Sequence, residues 1–263
     1  MSPAHDARPL VCITGASSGI GQALARRFHA AGWRLALMAR RVEAIEAWCQ
    51  AEGWATGDWA AFAADVRQEA SVLAAGQACL AQLGLPDVVI ANAGISVGVD
   101  TAIAADLAVF RATLETNLLG VAASFQPFLG PMRARGSGRL VGVASVAAIR
   151  GLPGHGAYCA SKAGVVAYLE SLRGECRGQG VQVVTLVPGY VATPLTARNP
   201  YGMPFLISAE AFAEQAFRAI ARGDSYRVIP RPMGVVAKLL RLLPNPLFDR
   251  LLAGRGRKPR QAD

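Results

Sequence analysis

The apolar run L-V-C-I-T at Leu10–Thr14 stops at the glycine-rich segment G-A-S-S-G-I-G of residues 15–21, and Ile20, Leu24 and Phe28 then recur at helical spacing. Strand, glycine turn and amphipathic helix is the order this pattern implies. The unit repeats along the chain. Arg34–Ala39 reads as a second strand with a helix over 42–50, residues 59–64 as a third with a helix over Glu69–Leu83, and residues 87–91 as a fourth. After a helical segment near 104–135 come strands over 140–145 and 181–187, and Tyr226–Ile229 supplies a seventh. A parallel strand needs a crossover before the next one, so this alternation predicts an α/β chain whose sheet is covered by helices on both faces.

In such sheets ligands bind beyond the C-terminal ends of the strands, so the residues there bear on function. Gly15, Gly19 and Gly21 let backbone N–H groups approach a pyrophosphate at a helix N-terminus, although G-x-x-x-G-x-G is not the usual G-x-G-x-x-G spacing. Arg40 and Arg41 end the second strand, where an acid would bind a ribose hydroxyl and an arginine would suit a 2′-phosphate. Asp65 and Val66 follow the third strand, Asn92, Ala93 and Gly94 the fourth, and Ser145 ends the fifth. Asn117 lies in an apolar helical neighbourhood, where it is either satisfied by backbone or holds an ordered water. Tyr158 and Lys162 are four apart at the start of a helix that runs to about Gly178. Sharing one face, they form either a proton-transfer pair or an ordinary solvated surface.

The order of these motifs resembles the short-chain dehydrogenase/reductase family: T-G-A-S-S-G-I-G at 14–21, Asp65 with Val66, N-A-G at 92–94, Asn117, Ser145, Y-C-A-S-K at 158–162 and P-G-Y-V-A-T at 188–193. The resemblance implies a Rossmann-like, doubly wound parallel sheet of about seven strands. It implies NADP(H) as cofactor, with Gly15, Ser17, Ser18, Gly19, Ile20 and Gly21 at the phosphates and Arg40 at the 2′-phosphate. Asp65 and Val66 would meet adenine. Asn92, Ala93, Gly94, Pro188 and Gly189 would line the cleft, and Val191 and Thr193 would meet the nicotinamide amide. Tyr158 would be the general acid/base, Lys162 would lower its pKa and hold the nicotinamide ribose, Ser145 would bind the substrate oxygen, and Asn117 would support a proton-relay water. The family's expected activity is reversible carbonyl reduction, with a homodimer or homotetramer as the expected assembly. A non-catalytic NADP-sensing or membrane-associated binding protein on the same fold is the alternative.

Scattered cysteines without a C-x-x-C pair suggest neither disulfides nor a metal site, and hence a reducing, cytoplasmic setting. No leader or membrane-spanning run is expected from the pattern. Residues 1–231 read as one catalytic domain, with a substrate loop near 190–222 carrying Tyr201, Met203, Phe205 and Leu206 and suiting a hydrophobic ketone or alcohol. His155, in a glycine-flanked loop, is expected to be solvated. Residues 232–263 form a basic extension: between Arg227 and Arg260 stand nine basic residues and one acid, Asp249. Its leucines and cations fit an anionic membrane surface, an oligomer contact or a cap on the substrate entrance. Nucleic acid is not expected, because no aromatic stacking platform accompanies the charge.

Overall fold

A computed structural model describes residues 7–197, 199–254 and 256–260. Its strands are β1 (Leu10–Thr14), β2 (Arg34–Ala39), β3 (Trp59–Ala63), β4 (Val88–Ala91), β5 (Gly138–Val143), β6 (Val181–Pro188), β7 (Val191–Ala192), β8 (Ile207–Ser208) and β9 (Tyr226–Ile229). The helices are α1 (Gly19–His29), α2 (Val42–Ala51), α3 (Glu69–Leu83), α4 (Asp106–Leu114), α5 (Gly120–Arg135), α6 (Gly156–Glu175), α7 (Ala209–Arg222), α8 (Arg231–Leu242) and α9 (Asn245–Leu252). Seven strands form one parallel sheet in the order β3-β2-β1-β4-β5-β6-β9. This is the expected doubly wound architecture. After β3 the chain returns to lay β4 beside β1, so the strand order reverses there and opens a crevice above the sheet.

Alternation along each strand builds a core on each face of the sheet. Val11 and Ile13 of β1 join the layer that holds Leu24 and Phe28 of α1, Ile45 of α2 and Phe212 of α7. Leu10 and Cys12 join the opposite layer, with Cys79 of α3, Phe125 and Phe128 of α5, and Leu169 of α6. Burial on both sides explains why these strands are almost wholly apolar.

Three features depart from the sequence reading. The helical segment near 104–135 is interrupted by a π-helical turn over Glu115–Leu119, with Asn117 inside it. Helix α6 ends at Glu175 rather than near Gly178. The loop after β6 is stapled by the two-residue strands β7 and β8, which were not expected.

The basic C-terminal segment folds back on the body. Gly98 and Arg260 form a parallel bridge, and a Cβ at Gly98 would stand 2.1 Å from the Lys258 carbonyl oxygen. Arg260 makes a forked pair with the buried carboxylate of Asp106, at 2.8 and 3.1 Å. Lys258, itself buried, donates to the carbonyl of Leu195 (2.9 Å) and to Asn199 Oδ1 (2.6 Å), tying the tail to the loop that follows Thr193.

Candidate active site

A cleft of about 470 Å³ lies beyond the C-terminal ends of the central strands. The residues Gly15, Ser17, Ser18, Gly19, Ile20, Arg40, Asp65, Val66, Asn92, Ala93, Gly94, Tyr158, Lys162, Pro188 and Thr193 line it. Gly21, Asn117, Ser145, Gly189 and Val191 stand outside that lining. Gly21 presses α1 onto the turn, because a Cβ there would lie 2.3 Å from the Gly15 carbonyl oxygen. Val191 is buried, and its carbonyl accepts the Thr196 hydroxyl at 2.6 Å.

The floor of the cleft fits a dinucleotide. Gly15 has φ +69°, and a side chain there would sit 2.7 Å from the Ala93 Cα, so the turn between β1 and α1 closes only with glycine. At the N-terminus of α1, Ser18 makes no side-chain capping bond and no acidic residue occupies the first turn. The first N–H groups and the positive end of the helix dipole are therefore available to a phosphate. Asn92 braces this turn, its amide donating to the carbonyls of Thr14 (3.1 Å) and Gly15 (3.2 Å). Gly15→Ala is expected to lower the thermal midpoint and weaken dinucleotide binding together, since both backbone strain and the clash fall on the turn. Melting curves with and without NADPH would check this.

The adenosine end of the cleft is more basic than the sequence motifs alone suggest. Arg41 and Arg67 join Arg40 in the lining. Arg67 forks onto Asp65, with Nη2–Oδ2 at 2.6 Å, and this bond first of all holds the carboxyl below its usual range. Arg40 adds to that effect through charge alone. Arg67 stands two residues beyond Asp65 in the sequence, and that spacing was the signal available for it.

The same lining holds the pair that the sequence predicts for proton transfer. Tyr158 and Lys162 share the first turns of α6, with the ammonium 5.9 Å from the phenol ring centre. Lys162 is buried and donates to the Val143 carbonyl at 2.8 Å, and burial brings its pKa down to about 8. Burial raises the Tyr158 pKa, while a hydrogen bond with Ser145 opposes the rise. Burial is the first influence on this phenol and holds its pKa above the ordinary value, so Tyr158 carries its proton at neutral pH. Ser145 is buried and caps the short 3-10 turn Val146–Ala148, its oxygen accepting from Ala147 N at 3.2 Å.

Asn117 is fully buried, and both its amide hydrogens are engaged. Nδ2 donates to the Ile95 carbonyl (2.9 Å) and to Ser161 Oγ (3.1 Å), while Oδ1 accepts from Ile95 N (2.8 Å). It thereby clamps the strand-end loop beside Gly94, whose Cβ would lie 3.3 Å from Asn117 Oδ1 and 3.5 Å from Lys162 Nζ. The π-helical turn gives the side chain this reach.

His155 is buried rather than solvated. Its Nε2 lies 3.3 Å from the Tyr201 hydroxyl, and both rings border a small cavity of about 40 Å³ that also touches Tyr190, Leu252 and Gly256. Burial, assisted by the charge of Lys258, lowers the His155 pKa to about 4, so the ring is neutral at physiological pH. Only the tertiary fold brings residue 155 to residue 201 and the tail, which is why its loop context misled.

Comparison with known proteins agrees with this geometry. A profile of the short chain dehydrogenase family matches residues 9–202. An uncharacterized oxidoreductase of Myxococcus xanthus is 39% identical over 238 residues, 90% of this chain and 93% of the relative. D-threitol dehydrogenase of Mycolicibacterium smegmatis is 38% identical over 185 residues, 70% of each chain. Among solved structures, an alcohol dehydrogenase from the archaeon Thermococcus sibiricus complexed with 5-hydroxy-NADP superposes with TM-score 0.73 at 29% identity, covering 84% of this chain and 96% of that one.

Proposed function

Because the chain belongs to the short-chain dehydrogenase/reductase family, we propose that it is an NADPH-dependent reductase of a hydrophobic ketone, working reversibly as an alcohol dehydrogenase. The observation that carries the reading is the half-buried, protonated Tyr158 beside Lys162 and Ser145 in a cleft whose lining also includes Arg40 and Arg41. Bound there, a reduced nicotinamide supplies the hydride. The residues of the glycine turn hold its phosphates, and Lys162 reaches its ribose. Ser145 donates to the substrate oxygen and Tyr158 delivers a proton to it, so the negative charge building on that oxygen is met by two placed donors. Asn117 fixes the Ile95 loop against which Lys162 rests. A binding protein without chemistry has no use for this acid.

The cofactor preference rests on charge. Arg67 is committed to Asp65, whereas Arg40 and Arg41 make no hydrogen bond to other described protein groups. They can accept a 2′-phosphate without breaking an existing bond. The NADP derivative in the archaeal relative supports this choice. For the substrate, the loop after Thr193 carries exposed Leu195, Phe205 and Leu206, an apolar border better suited to a hydrocarbon than to a polyol. Exposed Leu107 and Leu119, on α4 and the turn after it, favour pairing of two copies.

The test is NADPH oxidation across a panel of hydrophobic ketones, with NADH in parallel. NADPH should be strongly preferred, and Arg40→Ala should erase roughly ten- to hundredfold of that preference, the worth of a charge-assisted hydrogen bond of about 1.5–3 kcal/mol. Equal use of the two cofactors by the unmodified protein would sink the assignment.

A further inference from the structure

The consecutive helices α8 and α9, joined at a corner around Leu243 and Pro244, each have two unlike sides. Inward, Met233, Gly234 and Ala237 of α8 and Phe248 and Leu252 of α9 are buried. Gly234 lets α8 close on β9, since a Cβ there would meet the Val228 side chain at 2.9 Å. Arg150 locks the corner. Its guanidinium donates to the carbonyls of Leu240 and Leu243, the latter at 2.7 Å, and to Asn245 Oδ1 at 3.0 Å, and it stacks 3.7 Å from the centre of the Phe248 ring. The two helices are therefore a fixed part of the body rather than a loose tail.

Outward, the same helices expose what a helix normally buries. Val235, Leu239 and Leu242 are 60%, 59% and 80% exposed, and Leu247 and Leu251 are 53% and 56% exposed. The first three recur at i, i+4 and i+7 and the other two at i, i+4, so each helix presents one apolar stripe to solvent. At about 100° per residue, Lys238 flanks the stripe of α8 and Arg250 that of α9, Arg241 falls towards the buried side of α8, and Asp249, the one acid of the two helices, lies on the opposite side of α9. Among the described residues, Lys238, Arg241 and Arg250 make no ion pair. A second copy of the chain is a poor occupant, because a symmetric contact would set these cations against their own counterparts. A surface that is anionic outside and hydrocarbon beneath satisfies both features.

We propose that α8 and α9 seat the protein on the surface of an anionic lipid bilayer, their exposed leucines entering the headgroup boundary and the flanking cations meeting the lipid phosphates. No helix among the described residues is long and apolar enough to cross a membrane, so the contact is peripheral. Leu252 borders the small cavity beside Tyr201, and Lys258 ties the following segment to the loop after Thr193.

The test is sedimentation of the full chain with vesicles of phosphatidylcholine alone or mixed with phosphatidylglycerol, which needs no turnover and so stands or falls separately from the assigned reaction. The protein should pellet with the mixed vesicles, less so at high salt. Leu239→Glu/Leu242→Glu and Lys238→Gln/Arg250→Gln should each weaken binding roughly tenfold or more. Both variants alter only exposed side chains, and NADPH oxidation with a water-soluble ketone should confirm that they fold. No pelleting with mixed vesicles would overturn the proposal, as would equal binding to both vesicle types. So would a change of solution mass in the leucine variant without vesicle binding by the parent, which would make the face a contact between copies.

Discussion

Replacing Tyr158 by Phe is expected to cut turnover by about two to four orders of magnitude, some 3–5 kcal/mol of transition-state stabilisation, while leaving dinucleotide binding nearly intact. The variant removes one oxygen from a half-buried ring and keeps the shape that lines the cleft. The glycine turn, the N-terminus of α1 and the arginines beyond β2 are untouched, so NADPH affinity, read by fluorescence titration, should change little. Ser145 cannot take over, because an aliphatic hydroxyl is a far weaker acid than a phenol, although its hydrogen stays free to donate while its oxygen accepts from Ala147 N. Single-turnover measurement of NADPH oxidation separates this loss from product release. Retention of most of the rate would show that the proton comes from elsewhere and would remove Tyr158 from the reaction.

The parts of the molecule legible in the sequence are those set by local chemistry. Strands buried on both faces must be apolar, and a turn that closes against Ala93 must be glycine, so β1, α1 and the Gly15 turn could be placed from residue type alone. The ends of the central strands followed, and with them most of the cleft. What was not legible depends on contacts between distant segments. The π-helical turn at Glu115–Leu119 accompanies the clamp of Asn117 on Ile95 and Ser161, three groups that sequence spacing does not relate. The electrostatics of Tyr158 depend on how deeply α6 is buried, and i, i+4 spacing carries no information on that. The tail shows the same limit: its charge was evident, but not that Arg260 would pair with Asp106 and Lys258 would reach Leu195 and Asn199. Among the described cations of this segment, Lys258 and Arg260 fasten the tail, whereas Lys238 and Arg250 stand exposed on α8 and α9.

Acidification should loosen that fastening before it affects the ion-paired carboxylates. An unfolded histidine has a pKa near 6.5, whereas in the folded protein burial and Lys258 lower that of His155 to about 4. Between these values the unfolded chain binds a proton that the folded chain refuses, so stability falls as pH falls from about 6.5 towards 4. By pH 5 the loss from this one group is about 2 kcal/mol, which for a chain of this size lowers the melting midpoint by roughly 4–8 °C. The carboxyls of Asp65, Asp106 and Asp224 are held below their ordinary values by their arginine partners, so the stability they contribute is lost at lower pH, as they protonate. The two effects therefore separate along the pH axis. His155→Gln removes the titrating group and keeps a polar partner for the Tyr201 hydroxyl. Its midpoint should fall less than the parent's between pH 7 and pH 5, and the two should fall in parallel below pH 4. Parallel curves throughout would mean that the ring is protonated in the folded protein despite its burial. Limited proteolysis at pH 5 locates the loss: cleavage of the parent near the tail, absent from the variant, is expected, because a charged imidazole beside Lys258 repels the residue that ties the tail to the substrate loop.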